Sequence, residues 1–135
     1  MNLQDFPRPA NGSRRGIHWS ATVFHPFGSS LEWWISELNA MNIRWVKLLD
    51  NGGGSSRHLC QSLLTRQIIP IVRMYRDRPN PGHLGDREKS TVAELVSLGV
   101  RYFEVNNEPN LPEEWLPGEW QSGGRPEVVL QHWLE

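Results

Sequence analysis

Four times along this chain a short run rich in branched apolar residues is followed by a stretch whose apolar residues recur at three- and four-residue steps. The runs begin near residues 17, 43, 68 and 100, so each repeating unit is roughly 25–32 residues long. Strands that recur this way, with a helix between each pair, form parallel βα units, because a parallel connection needs a crossover long enough to hold a helix. The spacing predicts strands over residues 16–22, 43–50, 68–75 and 100–107. It predicts helices carrying Leu31, Trp34, Ile35, Leu38 and Met41, then Leu59, Cys60, Leu63 and Leu64, then Val92, Leu95 and Val96.

Local signals set the expected ends. Ser29-Ser30-Leu31-Glu32 fits a capping box for the first helix, Ser55 or Ser56 can cap the second, and Gly99 suits the stop of the third. Gly52 to Gly54 read as a flexible loop, residues 76–86 as a long Pro- and Gly-rich loop, and residues 1–15 as a flexible arm ahead of a domain over 16–135. Pro126 could open a fourth helix through Val129, Leu130, Trp133 and Leu134. Units of this length match a TIM (β/α)8 barrel, of which about four of eight units are present, a half barrel.

Charge removes several function classes. The 135 residues carry 14 basic and 15 acidic side chains, interspersed, which favours neither a nucleic-acid partner nor a membrane surface. No apolar run is long enough to span a bilayer or to serve as a signal peptide, so the expected location is cytoplasmic if Met1 is the true start. The single Cys60 excludes an internal disulfide framework and reads as a buried thiol. Asn11-Gly12-Ser13 fits a glycosylation sequon but reads as a polar loop. The five histidines lack metal-ligand spacing, so neither a metal nor another cofactor is expected. His18 could line a site floor, and the other four are expected at the surface. Seven tryptophans are many for this length, and their flat faces suit either core packing or stacking on sugar rings.

The chemistry concentrates at the end of the fourth strand. Phe103-Glu104-Val105-Asn106-Asn107 is followed by Glu108 and then Pro109, which cannot continue a ladder, so Glu108 is expected at the rim. In a barrel, the rim at the strands' C-terminal ends is where catalytic groups stand. Strand alternation puts Tyr102, Glu104, Asn106 and Glu108 on one face. An inward Glu104 needs a partner, and Arg73 on the third strand is the expected one.

The run from Phe103 to Asn110 resembles the fourth-strand signature of clan A glycoside hydrolases, the cellulase-like family five among them. The resemblance implies a retaining hydrolase of oligo- or polysaccharides, with Glu108 as acid/base and Asn107 holding the substrate's 2-hydroxyl. More weakly, Gly16-Ile17-His18 resembles the first strand and Trp45-Val46-Lys47-Leu48 the second, which adds His18 and Lys47 as substrate-binding candidates; Arg73, the expected partner of Glu104, is a third. Family members usually carry Arg where this chain has Lys47, and a lysine cannot supply the bidentate fork.

The resemblance also implies a nucleophile on a seventh strand, beyond the four units present. Asp50 and Asp77 stand at strand ends, but neither matches that nucleophile. Alone, the chain is expected to be inactive. It is read as a truncated N-terminal half, with two alternatives: a half that associates through its open sheet edge, or a non-catalytic carbohydrate-binding relic. A further alternative is a phosphate- or nucleotide-binding α/β domain using the Gly52–Gly54 loop.

Overall fold

The computed structural model describes residues 6–9, 14–75, 84–105, 107, 108, 111–115, 118 and 120. The expectations for Asn11, Asp77, Asn106 and the helix after Pro126 lie outside them.

Strands and helices alternate: β1 (Gly16–His18), α1 (Gly28–Ala40), β2 (Trp45–Asp50), α2 (Arg57–Thr65), β3 (Ile69–Met74), α3 (Asp86–Leu98) and β4 (Tyr102–Val105), followed by a 3-10 turn at Pro112–Glu114. The four strands form one sheet in the order β1-β2-β3-β4, and every pairing is parallel. Successive parallel neighbours joined by crossovers of one hand keep all the helices on the same face of the sheet. This is the α/β architecture of repeated βα units expected from the spacing.

Side-chain alternation explains which face the helices take. In β2, Val46 and Leu48 are buried, and in β3, Val72 and Met74 are. These four join Leu31, Ile35 and Leu38 of α1, Leu59, Cys60 and Leu63 of α2, and Leu95 of α3 in one core. In the other phase Trp45, Lys47, Leu49, Ile71 and Arg73 are half-buried and Ile69 is buried, on the face without a described helix.

Several ends differ from the local signals. β1 stops at His18, because Trp19 makes the last bond to its neighbour, donating its N–H to the Lys47 carbonyl at 2.7 Å, before the chain bends away. The capping box at Ser29 does not form. Gly28, at φ 56°, turns the chain into α1 one residue earlier, and Phe27 occupies the cap without a side-chain bond. Ser56 does stand at the cap of α2, but its hydroxyl makes no capping bond. Gly99 closes α3 at φ 108°, as expected of a left-handed stop.

The loop after β2 is not loose. Asp50 continues the buried phase of Val46 and Leu48, so its carboxylate enters the helix layer. There it accepts the N–H of Gly52 at 2.7 Å and of Ser56 at 3.0 Å. The Gly52 carbonyl in turn accepts from Arg87 Nε at 2.9 Å and Thr91 Oγ1 at 3.0 Å on α3. Only glycine fits position 52, where φ is 80° and a Cβ would stand 3.2 Å from the Glu88 nitrogen. Asp50→Ala should therefore strand two buried donors and cost about 1–3 kcal/mol, read as a lower urea midpoint with unchanged helix content.

Candidate functional site

The uncovered face carries a charged cluster in its middle. Arg73 and Glu104 stand on one rung of the β3–β4 ladder, with Arg73 Nε 3.6 Å from Glu104 Oε1. The expected Glu104–Arg73 contact is present. Lys47, two strands from Glu104, reaches across β3 so that its Nζ pairs with the other carboxylate oxygen. Glu104 thus serves two cations, one at each oxygen. Lys47 and Arg73 are only 21% and 18% exposed at the side chain, and Glu104 is 34% exposed. At 3.6 Å the Arg73 contact is an ion pair without a hydrogen bond, so the guanidinium fork is not used bidentately here.

His18 lies on the rung of Lys47 and is exposed. Toward the N-terminal end of the same face, Trp45 and Tyr102 meet edge to face with centroids 5.4 Å apart. Phe6 packs on Tyr102 at 6.0 Å, and the Tyr102 hydroxyl donates to the Pro7 carbonyl at 2.8 Å. Residues 6 and 7 therefore lie against this end of the face.

Glu108 stands just past the C-terminal end of β4 and is exposed. The strand ends at Val105, and Glu108 takes φ 32°, so simple alternation from Glu104 no longer governs its direction. Asn107 is half-buried. Its amide donates to Glu114 Oε1 at 2.5 Å and lies 3.5 Å from Glu108 Oε2. Two carboxylates thus converge on one amide, their oxygens within about 6 Å of each other, the most that legs of 3.5 and 2.5 Å allow. The structure joins Asn107 with Glu108, and Lys47 with Arg73. No described contact links the two groups, and His18 has no described polar partner.

Sequence reasoning missed three residues here. Glu114 carries no local signal, because only the loop that folds back through Pro112–Glu114 brings it to Asn107. Asp50 as a loop clamp was readable, since an Asp two residues before a Gly is a common turn signal. His25 was expected at the surface but is 6% exposed. Its Nε2 donates to the Leu49 carbonyl at 2.9 Å, which bridges the β1–α1 loop to the end of β2, and its Nδ1 has no partner among the described residues.

The Gly52–Gly54 loop offers less to a phosphate than its sequence suggested. The N–H groups of Gly52 and Ser56 already donate to Asp50, and that of Gly53 to Asn51 Oδ1 at 3.1 Å. Cys60 is fully buried, and burial pushes its thiol up to about 12, which leaves it unreactive. Among the described residues no group of three or more His, Cys, Asp or Glu is placed to hold a metal ion, and no helix is long and apolar enough to cross a membrane.

The described residues thus define an α/β protein with four parallel strands alternating with three helices, and with charged side chains on the face that carries no described helix. Against known proteins, no family model, no curated sequence and no solved structure matches the chain.

Two measurements test this geometry. Removing the shared carboxylate by Glu104→Ala leaves Lys47 and Arg73 facing each other without a counter-ion. The expected loss is about 1–2 kcal/mol, below that of a fully buried pair because water reaches all three groups. A urea midpoint unchanged by the substitution would contradict it. The second concerns pH. Burial lowers the His25 pKa from the ordinary 6.5, against smaller opposing effects of the Leu49 hydrogen bond and the Asp50 charge. Above pH 6.5 both folded and unfolded chains hold this ring neutral, and the full stability is present. As the pH falls below that value the unfolded chain takes up the proton first, so stability declines until the folded pKa is reached. His25→Gln should flatten this part of the stability profile.

Proposed function

We propose that the described sheet is half of a (β/α)8 barrel and that it contributes the acid/base half of a retaining glycoside hydrolase site, with Glu108 as the acid. The supporting observation is positional. Asn107 and Glu108 follow directly on the fourth strand of a sequentially ordered parallel sheet, at the strands' C-terminal end, where barrels of this class do their chemistry. Beside them the helix-free face holds Lys47, Arg73 and Glu104, in the place of a barrel interior.

In this reading Glu108 protonates the departing glycosidic oxygen, then takes a proton back from the water that completes hydrolysis. Asn107 keeps its amide toward the substrate's hydroxyl, and Glu114 fixes the rotamer of that amide by accepting from it. Lys47 and Arg73 present two positive charges against the single carboxylate of Glu104. That surplus suits a further anion, which a second catalytic carboxylate would supply. Retention requires that carboxylate at ~5–5.5 Å from the acid. The resemblance puts it on a seventh strand, which a second half must bring.

The second reading is carbohydrate binding without hydrolysis. It is favoured by the exposed Trp33 and Trp34, whose rings meet at 4.6 Å and offer flat apolar surface to a sugar.

The test is hydrolysis of β-glucan oligomers and of aryl β-glycosides by the completed barrel. Glu108→Gln should slow the oligomers by about 10²–10⁴-fold, because their leaving groups need a proton. Aryl glycosides with strongly acidic phenols should be slowed far less at the bond-breaking step. Equal rates for wild type and variant on oligomers would remove the acid assignment. Tryptophan quenching by oligosaccharides with no hydrolysis would favour the binding reading, and no quenching by any glycan would count against both.

A further inference from the structure

We propose that two copies of this chain close, about a two-fold axis parallel to the strands, into one eight-stranded parallel barrel in which β4 of each copy pairs with β1 of the other. This rests on the half-barrel reading above, and not on the sugar chemistry of Glu108.

The first observation is the state of the sheet edges. Among the described residues no strand pairs with the outer side of β1 or of β4. Arg15 and Trp19 point their backbone groups at β2: the Arg15 carbonyl accepts from Arg44 and Trp45, and the Trp19 N–H donates to Lys47. Alternation therefore turns the backbone groups of Gly16 and His18 outward, ready for a further parallel strand. All-parallel sheets occur almost only with both faces covered, and among the described residues helices cover only one face of this one.

The second observation is the apolar surface beside that edge. Ile17 shares a rung with the buried Val46, so it lies on the helix side, yet it is 42% exposed. With Phe24, Trp34 and Met41, which are 80%, 46% and 47% exposed, it surrounds a groove of about 380 Å³ that also takes in Trp19 and Leu38. Within the chain α1 packs on α2 and α2 on α3, while the β1 side of α1 has no described helix against it. The groove sits where a βα unit preceding β1 would pack.

What fills it must bring a parallel edge and a helix-backed apolar layer together. The chain's own β4 end has both, since Phe103 on β4 packs into the same helix-side core. Four more strands are also the number that closes an eight-stranded barrel. A two-fold along the strands preserves their direction, so both seams are parallel. Four large apolar side chains at about half exposure leave roughly 400 Å² to cover per copy. With the seam formed twice and both of its surfaces counted, the contact is on the order of 1,600 Å², the size of a stable interface. Closure would finish the burial of Lys47, Arg73 and Glu104, as side-chain layers fill the interiors of barrels. It also sets Glu108 of both copies at one mouth, on opposite sides of the two-fold axis.

The experiment is sedimentation equilibrium of the intact chain across a wide concentration range, with amide hydrogen exchange on the same samples. We expect a species of twice the 15.6 kDa chain mass, with the Gly16 and His18 amides slowed at least about tenfold in the dimer relative to dilute monomer. Ile17→Lys and Trp34→Glu should each raise the dissociation constant by at least about tenfold, with helical circular dichroism unchanged. A chain monomeric at every concentration overturns the proposal. So does a wild-type dimer whose Gly16 and His18 amides exchange as fast as in the monomer, a result that needs no variant to fold. A chain monomeric at every concentration, with Glu108→Gln still slowing oligomer hydrolysis in a barrel completed by a different second half, would remove the pairing and leave the acid in place.

Discussion

A parallel sheet has two faces, and in this chain the helices pack on one while the other mixes apolar with charged side chains. Val46 and Leu48 on β2, and Val72 and Met74 on β3, point to the helices, while the residues between them point the other way. The phase of this alternation decides the chemistry of both faces. Asp50 falls in phase with Val46 and Leu48, so it is carried into the helix layer and must be satisfied there by backbone N–H groups. Lys47 and Arg73 fall in the opposite phase and meet Glu104 on the open face. A slip of one residue in β2 would exchange these roles, leaving Lys47 among the leucines and Asp50 in solvent.

The C-terminal end of the sheet is tied together across loops. His25 in the loop after β1 donates to the carbonyl at the end of β2, and Ser55 in the next loop donates back to Val23 at 2.5 Å. The Gly52 carbonyl is held from α3 by Arg87 and Thr91. Each bond joins one βα unit to its neighbour, so the loops that would border a site are positioned by the units on either side. Glu108 differs, being exposed, with its carboxylate near the Asn107 amide and its carbonyl accepting from the Leu111 N–H. Under the proposed acid role, a group that exchanges protons with substrate and water is left accessible while its neighbours carry the rigidity.

The charged face and the apolar groove ask for cover in different ways. Lys47, Arg73 and Glu104 are partly desolvated and neutralise each other incompletely, which leaves positive charge to be met. Ile17, Phe24, Trp34 and Met41 gain simply by leaving water. The proposed closure on a second half would answer both with one movement, because a barrel interior and its outer helical layer form together.

By itself, the sequence determined the architecture: the 25–32-residue rhythm, the stop at Gly99 and the meeting of Arg73 with Glu104. All of these follow from local periodicity or from alternation along neighbouring strands, which short-range sterics and burial dictate. It also pointed to Asn107 and Glu108 as neighbours past the fourth strand. Only the tertiary structure decided that Lys47 shares Glu104 across β3, that Glu114 holds the Asn107 amide, that His25 is buried, that Phe27 takes the cap of α1, and that Ser56 caps α2 without a side-chain bond. Each of those contacts depends on how loops and long side chains settle once the units have packed, and no spacing along the chain encodes that distance.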